Sequence, residues 1–388
     1  MPLDLTHIPV VDHHCHPWLR HSPAYEPESY RSLFTEGVHP GVHAQVPHTI
    51  YYRWTIRDLA RLLDCDATED DVLANRAAMG HDAFSARLME EANVESAILD
   101  HLFSGRGADN FTVAQMGPQL GGARTYAAVR LETVLAELVS ESDDAAEAEA
   151  RFRHLLNRDA FAAEGTVSLK SIAAYRTGLA IEDPSRGDAY ARFAALKTEV
   201  RANGSVRIDD KVYLDYHLMI ALRWSAAEKF PIQFHSGYGD PDVDLRTGNP
   251  IQMRQVLQND ELRDAPIVFL HAGYPFVREL SLLASVYPNV YLDLGLAIPF
   301  AATDFDEIVR QSLVLAPSSR VLWSSDGFAV PEHCWFAAVQ GRAAIGRELD
   351  RLIAAGSIGE EDALDIADRI LRRNSVDLYG LATPGERP

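Results

Sequence analysis

Eight short, nearly continuous apolar runs alternate with longer helical patterns along this chain, and this alternation constrains the fold more than any other feature. The runs are residues 8–14, 94–100, 125–131, 165–170, 231–235, 266–271, 289–294 and 320–325. Runs of this length suit strands that are buried on both faces, as in a parallel sheet. Eight successive βα units would close a distorted (β/α)8 TIM barrel of the α/β class. An open, doubly wound sheet is the alternative.

The first two runs are too far apart for a single connecting helix, because residues 17–93 lie between them. This stretch starts with a part rich in Pro, Tyr and His (17–54) and continues with helical patterns near 56–63 and 70–91. We expect one barrel domain over residues 1–388, with 17–93 as a helical insertion that forms a lid above the barrel mouth. A structural decoration or an oligomer contact is the alternative role.

The charge balance excludes several classes of partner. The 388 residues include 36 Lys and Arg against 56 Asp and Glu, which gives a net charge of −20. Nucleic acids and anionic membrane surfaces need many cationic contacts, so neither is expected. Three cysteines cannot form a disulfide framework, and no secretory signal or long apolar span is visible. We therefore expect a cytoplasmic protein that acts on a small molecule, and a homo-oligomer.

The first apolar run ends in a cluster of side chains that can bind metal. Asp12, His14 and His16 alternate with His13 and Cys15, so the first three are expected on one face of the strand. Two imidazoles with this spacing can chelate one metal ion. Asp12 could orient one of these histidine ligands without binding the metal itself. A solvent-exposed histidine cluster is the alternative interpretation.

Further metal-compatible side chains follow other runs at the same end. Lys170, His235 and His271 end the fourth, fifth and sixth runs, and Asp326 directly follows the eighth. TIM-barrel enzymes build their active sites at the carboxyl ends of the strands. Imidazole and carboxylate together suit Zn²⁺, Mn²⁺ or Fe²⁺. The sequence therefore predicts a divalent metal centre at the barrel mouth.

These positions and their flanking segments resemble the metal-dependent amidohydrolase superfamily, and within it the amidohydrolase-2 branch. The sequence is similar to the amidohydrolase half of proteins that carry a glutamine-synthetase-like domain behind it. The supporting segments are residues 170–179, 233–240 with 244–246, 270–276, 286–300 and 324–326, within a resemblance that spans 8–375.

The resemblance implies a role for each site residue. His14, His16, His235 and Asp326 match metal ligands, and Asp326 is also the proton carrier. His271 would bind a second metal ion or act as an acid, a base or a carbonyl-polarising group. Lys170 would bridge two metals as a carbamate or, unmodified, bond to substrate or to Asp326. The cofactor is thus one or two divalent ions, Zn or Mn, with a preference for one.

Two arginines and a tyrosine are candidates for binding substrate. Arg176 follows Lys170 by six residues and Arg246 follows His235 by eleven, so both are expected in loops at the mouth. Arginine grips a carboxylate in bidentate fashion, which suggests a γ-glutamyl amide or an N-acyl amino acid. Salt bridges to nearby aspartates are the alternative for both arginines. Tyr238 could close the pocket or simply pack, and the same two roles are open to Tyr175.

Three functions are compatible with these residues. The first is metal-dependent hydrolysis of an amide or similar C–N bond. The second is non-oxidative decarboxylation of a small carboxylic acid, because some amidohydrolase-2 relatives look like decarboxylases with the same ligands. The third is a binding protein that has lost turnover, which the complete set of predicted ligands disfavours.

Overall fold

The computed structural model describes residues 3–20, 25–102 and 109–382, and it contains an eight-stranded parallel barrel. Each strand pairs with the next along the chain, which confirms the predicted TIM-barrel class. The strands are β1 (Val10–Cys15), β2 (Val94–Asp100), β3 (Arg124–Arg130), β4 (Thr166–Ser171), β5 (Ile232–Phe234), β6 (Ile267–Phe269), β7 (Val290–Asp293) and β8 (Val321–Leu322).

Helices surround the barrel and fill the long connection after β1. Helices α1 to α5 lie between β1 and β2, and they are Pro27–Arg31, Pro40–His43, Ile50–Leu63, Glu69–Met79 and His81–Ala92. The next helices, α6 to α12, are Val113–Gln119, Leu131–Glu141, Ala145–Leu155, Arg158–Glu164, Arg186–Asn203, Lys211–Glu228 and Arg254–Leu257. The last, α13 to α18, are Val277–Val286, Ala297–Phe300, Phe305–Leu313, Pro331–Ala354, Glu360–Asp368 and Asn374–Tyr379.

The barrel closes between β1 and β8 through a few hydrogen bonds, and we call this junction the seam. The backbone N–H of Asp326 donates to the carbonyl of His14 (3.0 Å), and the N–H of His16 donates to the carbonyl of Gly327 (2.8 Å). No ladder pairs β1 with β8 among the described residues. Residues that follow β8 therefore lie directly beside the end of β1.

The interior of the barrel is packed with aliphatic side chains, and the C-terminal helix closes its floor. Val11, Ile98, Val268 and Leu322 form one buried cluster together with Tyr379 of α18. The hydroxyl of Tyr379 also reaches the imidazole of a β1 histidine at 3.2 Å. The closed floor leaves the opposite, carboxyl end of the barrel for a site.

The connection between β1 and β2 is helical, and a glycine divides its second helical pattern. Residues 70–91 were expected as one helix, but Gly80 adopts φ +78° between α4 and α5. A left-handed φ suits glycine and ends a helix. A buried ion pair between Arg76 of α4 and Glu332 of α16 attaches this segment to the barrel. Its role as a lid stays a prediction. Within the described ranges, no helix has the length and apolar character to span a membrane.

Candidate active site

Three donor atoms from the two sides of the seam converge at the barrel mouth. Asp326 Oδ1 lies 3.1 Å from His14 Nε2 and 3.2 Å from His16 Nε2. Two ligand atoms each about 2.1 Å from one cation, at an octahedral or tetrahedral angle, lie about 3.0 to 3.4 Å apart. The spacing and the donor types therefore fit a divalent cation, and the three residues form one potential metal group.

The carboxylate of Asp12 fixes the turn that carries Asp326. It accepts the backbone N–H of Ser325 at 2.9 Å and the Ser325 hydroxyl at 2.5 Å. Asp326 itself has φ +51°, a conformation that is costly for a residue with a Cβ and that needs such support. The Cys334 thiol donates to the same Asp12 carboxylate at 3.4 Å.

This arrangement corrects the expected alternation along β1. Asp12 was expected on the face of His14 and His16, but its carboxylate contacts Ser325 and Cys334 instead. The pairing of β1 with β2 shifts register between Asp12 and Cys15, so strict alternation does not hold there. Asp12 therefore supports the metal group through the β8 turn rather than through a histidine of its own strand.

A carbonyl group determines the tautomer of His16. The carbonyl oxygen of Asp100, at the end of β2, lies 3.1 Å from His16 Nδ1. A carbonyl only accepts, so Nδ1 donates to it, and Nε2 is the ring nitrogen that faces Asp326. The Asp100 carboxylate is held by Arg130 at the end of β3, with bonds of 2.6 and 2.9 Å. Asp100 and Arg130 were not predicted from the sequence, although each of them ends a strand.

His235 lies in the same cavity with an unpartnered donor atom. Its ring contacts Tyr175 (centroids 4.1 Å apart) and His271 (4.5 Å), and its buried Nε2 has no hydrogen-bond partner within the described part of the chain. Burial, His271 and Lys170 hold the pKa of His235 well below its usual value, so the imidazole is neutral. A neutral imidazole with an open lone pair can bind metal. His235 lies outside the group of three, and its role as a ligand stays a prediction.

His271 is held beside Asp326 by a second aspartate. Its Nε2 lies 3.9 Å from Asp326 Oδ2, and burial lowers its pKa to about 4. The residue has φ +67°, and its backbone N–H donates to Asp293 at 3.0 Å. Asp293, at the end of β7, also accepts from His13 at 3.0 Å. Asp293 was not predicted, because its strand carries no histidine.

Lys170 is buried and lies 3.1 Å from His14, measured from Nζ to Nε2. Burial lowers its pKa to about 8, and the carboxylates of Asp100 and Asp326 limit the shift. Next to it, Glu132 accepts the Ser171 hydroxyl (2.7 Å) and the backbone N–H of the following residue (2.9 Å). This carboxylate fixes the end of β4, and thereby the position of Lys170.

Asp326 is the ionised member of the metal group. Its burial favours the neutral acid, yet the neighbouring His271, His14 and His16 hold the pKa well below its usual value. Burial also lowers the pKa of His14 to about 3, which keeps that imidazole unprotonated. One carboxylate with neutral imidazoles is a donor set that suits a divalent cation.

A cavity of about 330 Å³ opens above these residues. Of the predicted substrate-binding residues, Arg176 lines it. Arg246 does not: its side chain is 89% exposed and bonds to Asp244 at 2.6 Å, so the structure assigns it to a surface ion pair. Tyr238 also lies outside the lining and packs near Phe300.

Several lining residues were not predicted as site residues. They come from the insertion after β1, from the end of β3, and from loops after β4, β5, β7 and β8. Besides the predicted ligands, Arg176 and Tyr175, the lining contains Glu36, Val38, Arg130, Ile172, Arg207, Asp240, Asp242, Leu296 and Phe328. Glu36 and Val38 have no signal of their own, because nothing in their local sequence shows that the insertion reaches the mouth.

A TIM barrel with imidazole and carboxylate donors at the carboxyl ends of its strands is the arrangement of a metal-dependent hydrolase. The chain belongs to the amidohydrolase family, whose model matches residues 11–381. It is similar to a proposed metal-dependent hydrolase from Lactobacillus casei ATCC 334, with 28% identity, a TM-score of 0.86, and coverage of 97% of this chain and 96% of that one.

Two further proteins are similar to the chain, one in sequence and one in fold. Protein fluG from Emericella nidulans is 30% identical over 403 residues, which cover 96% of this chain and 46% of fluG. The chain thus spans less than half the length of that relative. A uronate isomerase from Thermotoga maritima has a TM-score of 0.67 at 12% identity, with 96% of this chain and 95% of that one covered. The similarity between the chain and this isomerase is a similarity of fold alone.

Proposed function

We propose that the protein hydrolyses an amide (C–N) bond in a small carboxylate-bearing molecule, with a divalent metal, Zn or Mn, at His14, His16 and Asp326. One observation supports the presence of a carboxylate group in the substrate. Arg176 lines the cavity that contains the metal group, is partly buried, and forms no ion pair among the described residues. Its buried Nε has no hydrogen-bond partner among the described residues, and burial together with the neighbouring Arg207 lowers its pKa. An anionic substrate would supply a partner for the guanidinium.

The side chains around the metal group suit hydrolysis. A divalent cation bound there would acidify a water molecule and polarise a carbonyl group. Asp326 is ionised, so it can accept a proton from the attacking water and pass it to the departing nitrogen. The neutral imidazole of His271, 3.9 Å away, can donate a hydrogen bond to the carbonyl oxygen of the substrate. The Lys170 ammonium can do the same from the β4 side.

The insertion after β1 contributes to the same cavity through Glu36 and Val38. We propose that residues 17–93 form a lid within a single barrel domain. Glu36 and Val38 lie between α1 and α2, and they line the same cavity as Arg176 and Asp240. A cover over the mouth excludes water from the reacting groups, which strengthens their electrostatic interactions.

The test is product analysis with purified, metal-loaded protein. A panel of γ-glutamyl amides and N-acyl amino acids is incubated, and amine release is measured. Arg176→Met should raise KM, whereas the surface variant Arg246→Met should match the wild type. Release of CO₂ without an amine would instead indicate the decarboxylase alternative. Protein that contains metal but releases no amine from any of these amides would overturn the proposal.

A further inference from the structure

Two opposite charges line the cavity of the metal group without pairing with each other. Arg176 follows β4 and Asp240 follows β5, and both side chains line the cavity and are partly buried. Among the described residues, neither forms an ion pair. The Arg176 guanidinium makes one long contact with the Tyr175 carbonyl (3.5 Å), and the Asp240 carboxylate accepts the backbone N–H of Asp242 (2.9 Å). Both charges are therefore available to a ligand.

A third residue connects the two loops that carry these charges. Arg207 donates through Nη2 to the Tyr175 carbonyl (2.9 Å) and lies 2.9 Å from the Asp242 carboxylate. It thus joins the loop after β4, next to Arg176, to the loop after β5, next to Asp240.

Close packing also fixes the backbone next to Asp240. A Cβ on Gly239 would lie 2.1 Å from the Tyr175 hydroxyl and 2.8 Å from His235 Nε2. Only a glycine allows this approach, so the loop after β5 is pressed against Tyr175 and against a predicted metal ligand. The charged pair is therefore held at a defined position relative to the metal group.

We propose that Arg176 and Asp240 bind the head group of an α-amino acid, with its carboxylate on the guanidinium and its ammonium on the aspartate. The inference rests on the proposed function and narrows its substrate class. The scissile bond is then the side-chain amide of an acidic amino acid. Water adds to that carbonyl, the C–N bond breaks, and the products are the free amino acid and an amine that takes up a proton. N-acyl amino acids are disfavoured, because their nitrogen carries no charge.

The experiment compares two substrates that differ only in the ammonium group: L-γ-glutamyl-p-nitroanilide and glutaryl-p-nitroanilide. For the wild type, kcat/KM should be about 10- to 100-fold higher with the glutamyl compound, since a charge-assisted hydrogen bond distinguishes them. Asp240→Asn should remove this preference by lowering kcat/KM for the glutamyl compound to the level of the glutaryl compound. The matched control Asp244→Asn, at the exposed partner of Arg246, should keep it.

Binding measurements separate this inference from the proposed function. Calorimetric titration of L-glutamate and glutarate into the metal-loaded protein tests the head group without any turnover. Tighter binding of glutamate, abolished by Asp240→Asn, supports the inference even if no amide is cleaved. Equal binding of the two acids to the wild type, or equal kcat/KM for the two anilides, would overturn it. Because both ratios use the wild type, a variant that fails to fold cannot decide the outcome.

Discussion

The buried ion pair between Arg76 and Glu332 gives the sharpest test of how the insertion is attached. Arg76 Nε donates to Glu332 Oε1 at 2.7 Å, and the two side chains are 4% and 0% exposed. The hydroxyl of Tyr30 donates to the same oxygen at 3.1 Å, and the guanidinium lies 4.9 Å from the ring of Phe84. The pair thus connects α1 and α4 to the first turn of α16.

Glu332→Gln removes the negative charge and preserves the shape. The guanidinium of Arg76 is then buried without a counter-charge, which should lower the free energy of unfolding by about 3 to 5 kcal/mol. The matched control is the exposed pair of Arg347 and Asp306, with side chains 46% and 43% exposed. There, Asp306→Asn should cost less than about 1 kcal/mol. Urea unfolding of metal-loaded protein, followed by tryptophan fluorescence, measures both.

The double variant Arg76→Met, Glu332→Gln completes the thermodynamic cycle. With both charges absent, no ion is buried alone, so the double variant should recover part of the stability that the single variant lost. Two results would refute the reasoning. One is a loss of stability in Glu332→Gln that is no larger than the loss in Asp306→Asn. The other is a loss in the double variant that equals the sum of the losses measured for Glu332→Gln alone and for Arg76→Met alone.

Three further predictions concern catalysis, metal binding and pH. Asp326→Asn should leave the circular dichroism spectrum unchanged and lower kcat at least about 100-fold, because an amide cannot carry the proton; an active variant would remove Asp326 from the mechanism. Chelation of the metal should lower the melting temperature, since the donors lie on both sides of the seam and a ligand at 100 times its Kd stabilises by about 2.7 kcal/mol; equal melting curves would contradict this. Burial lowers the pKa of His217 from 6.5 to about 4, so the unfolded chain takes up the proton first, and this residue alone should lower the unfolding free energy by about 1.4 kcal/mol for each pH unit from 6.5 down to 4. Because His14 and His271 also have lowered pKa values, His217→Phe should reduce the slope in acid titrations of stability by that amount without abolishing it, whereas the exposed control His154→Gln should leave the slope unchanged.

The positions of the eight strands could be predicted because their physical cause is local. A strand buried on both faces needs a continuous apolar run, and each of the eight runs overlaps a strand of the barrel. The end of a parallel strand is also a defined place in space, so Lys170 at the end of β4 and Asp326 after β8 could be expected at one mouth. The structure brings both within reach of His14.

What could not be predicted depends on contacts that no local pattern encodes. The side of β1 on which Asp12 lies follows from a register shift against β2. Arg246 pairs with Asp244, two residues away, and this local ion pair holds the arginine side chain outside the cavity. Glu36 reaches the mouth only because the insertion folds back over the barrel. Arg130 ends β3 and could have been included by the same strand-end rule.

The seam determines when, during synthesis of the chain, the metal donors can come together. His14 and His16 leave the ribosome early, whereas Asp326 and Gly327 are among the last parts of the barrel to emerge. The donors therefore meet only after synthesis of the barrel is nearly complete. A metal ion can contact all three donors only from that point on, so any factor that delivers it acts on a chain that already contains all eight strands.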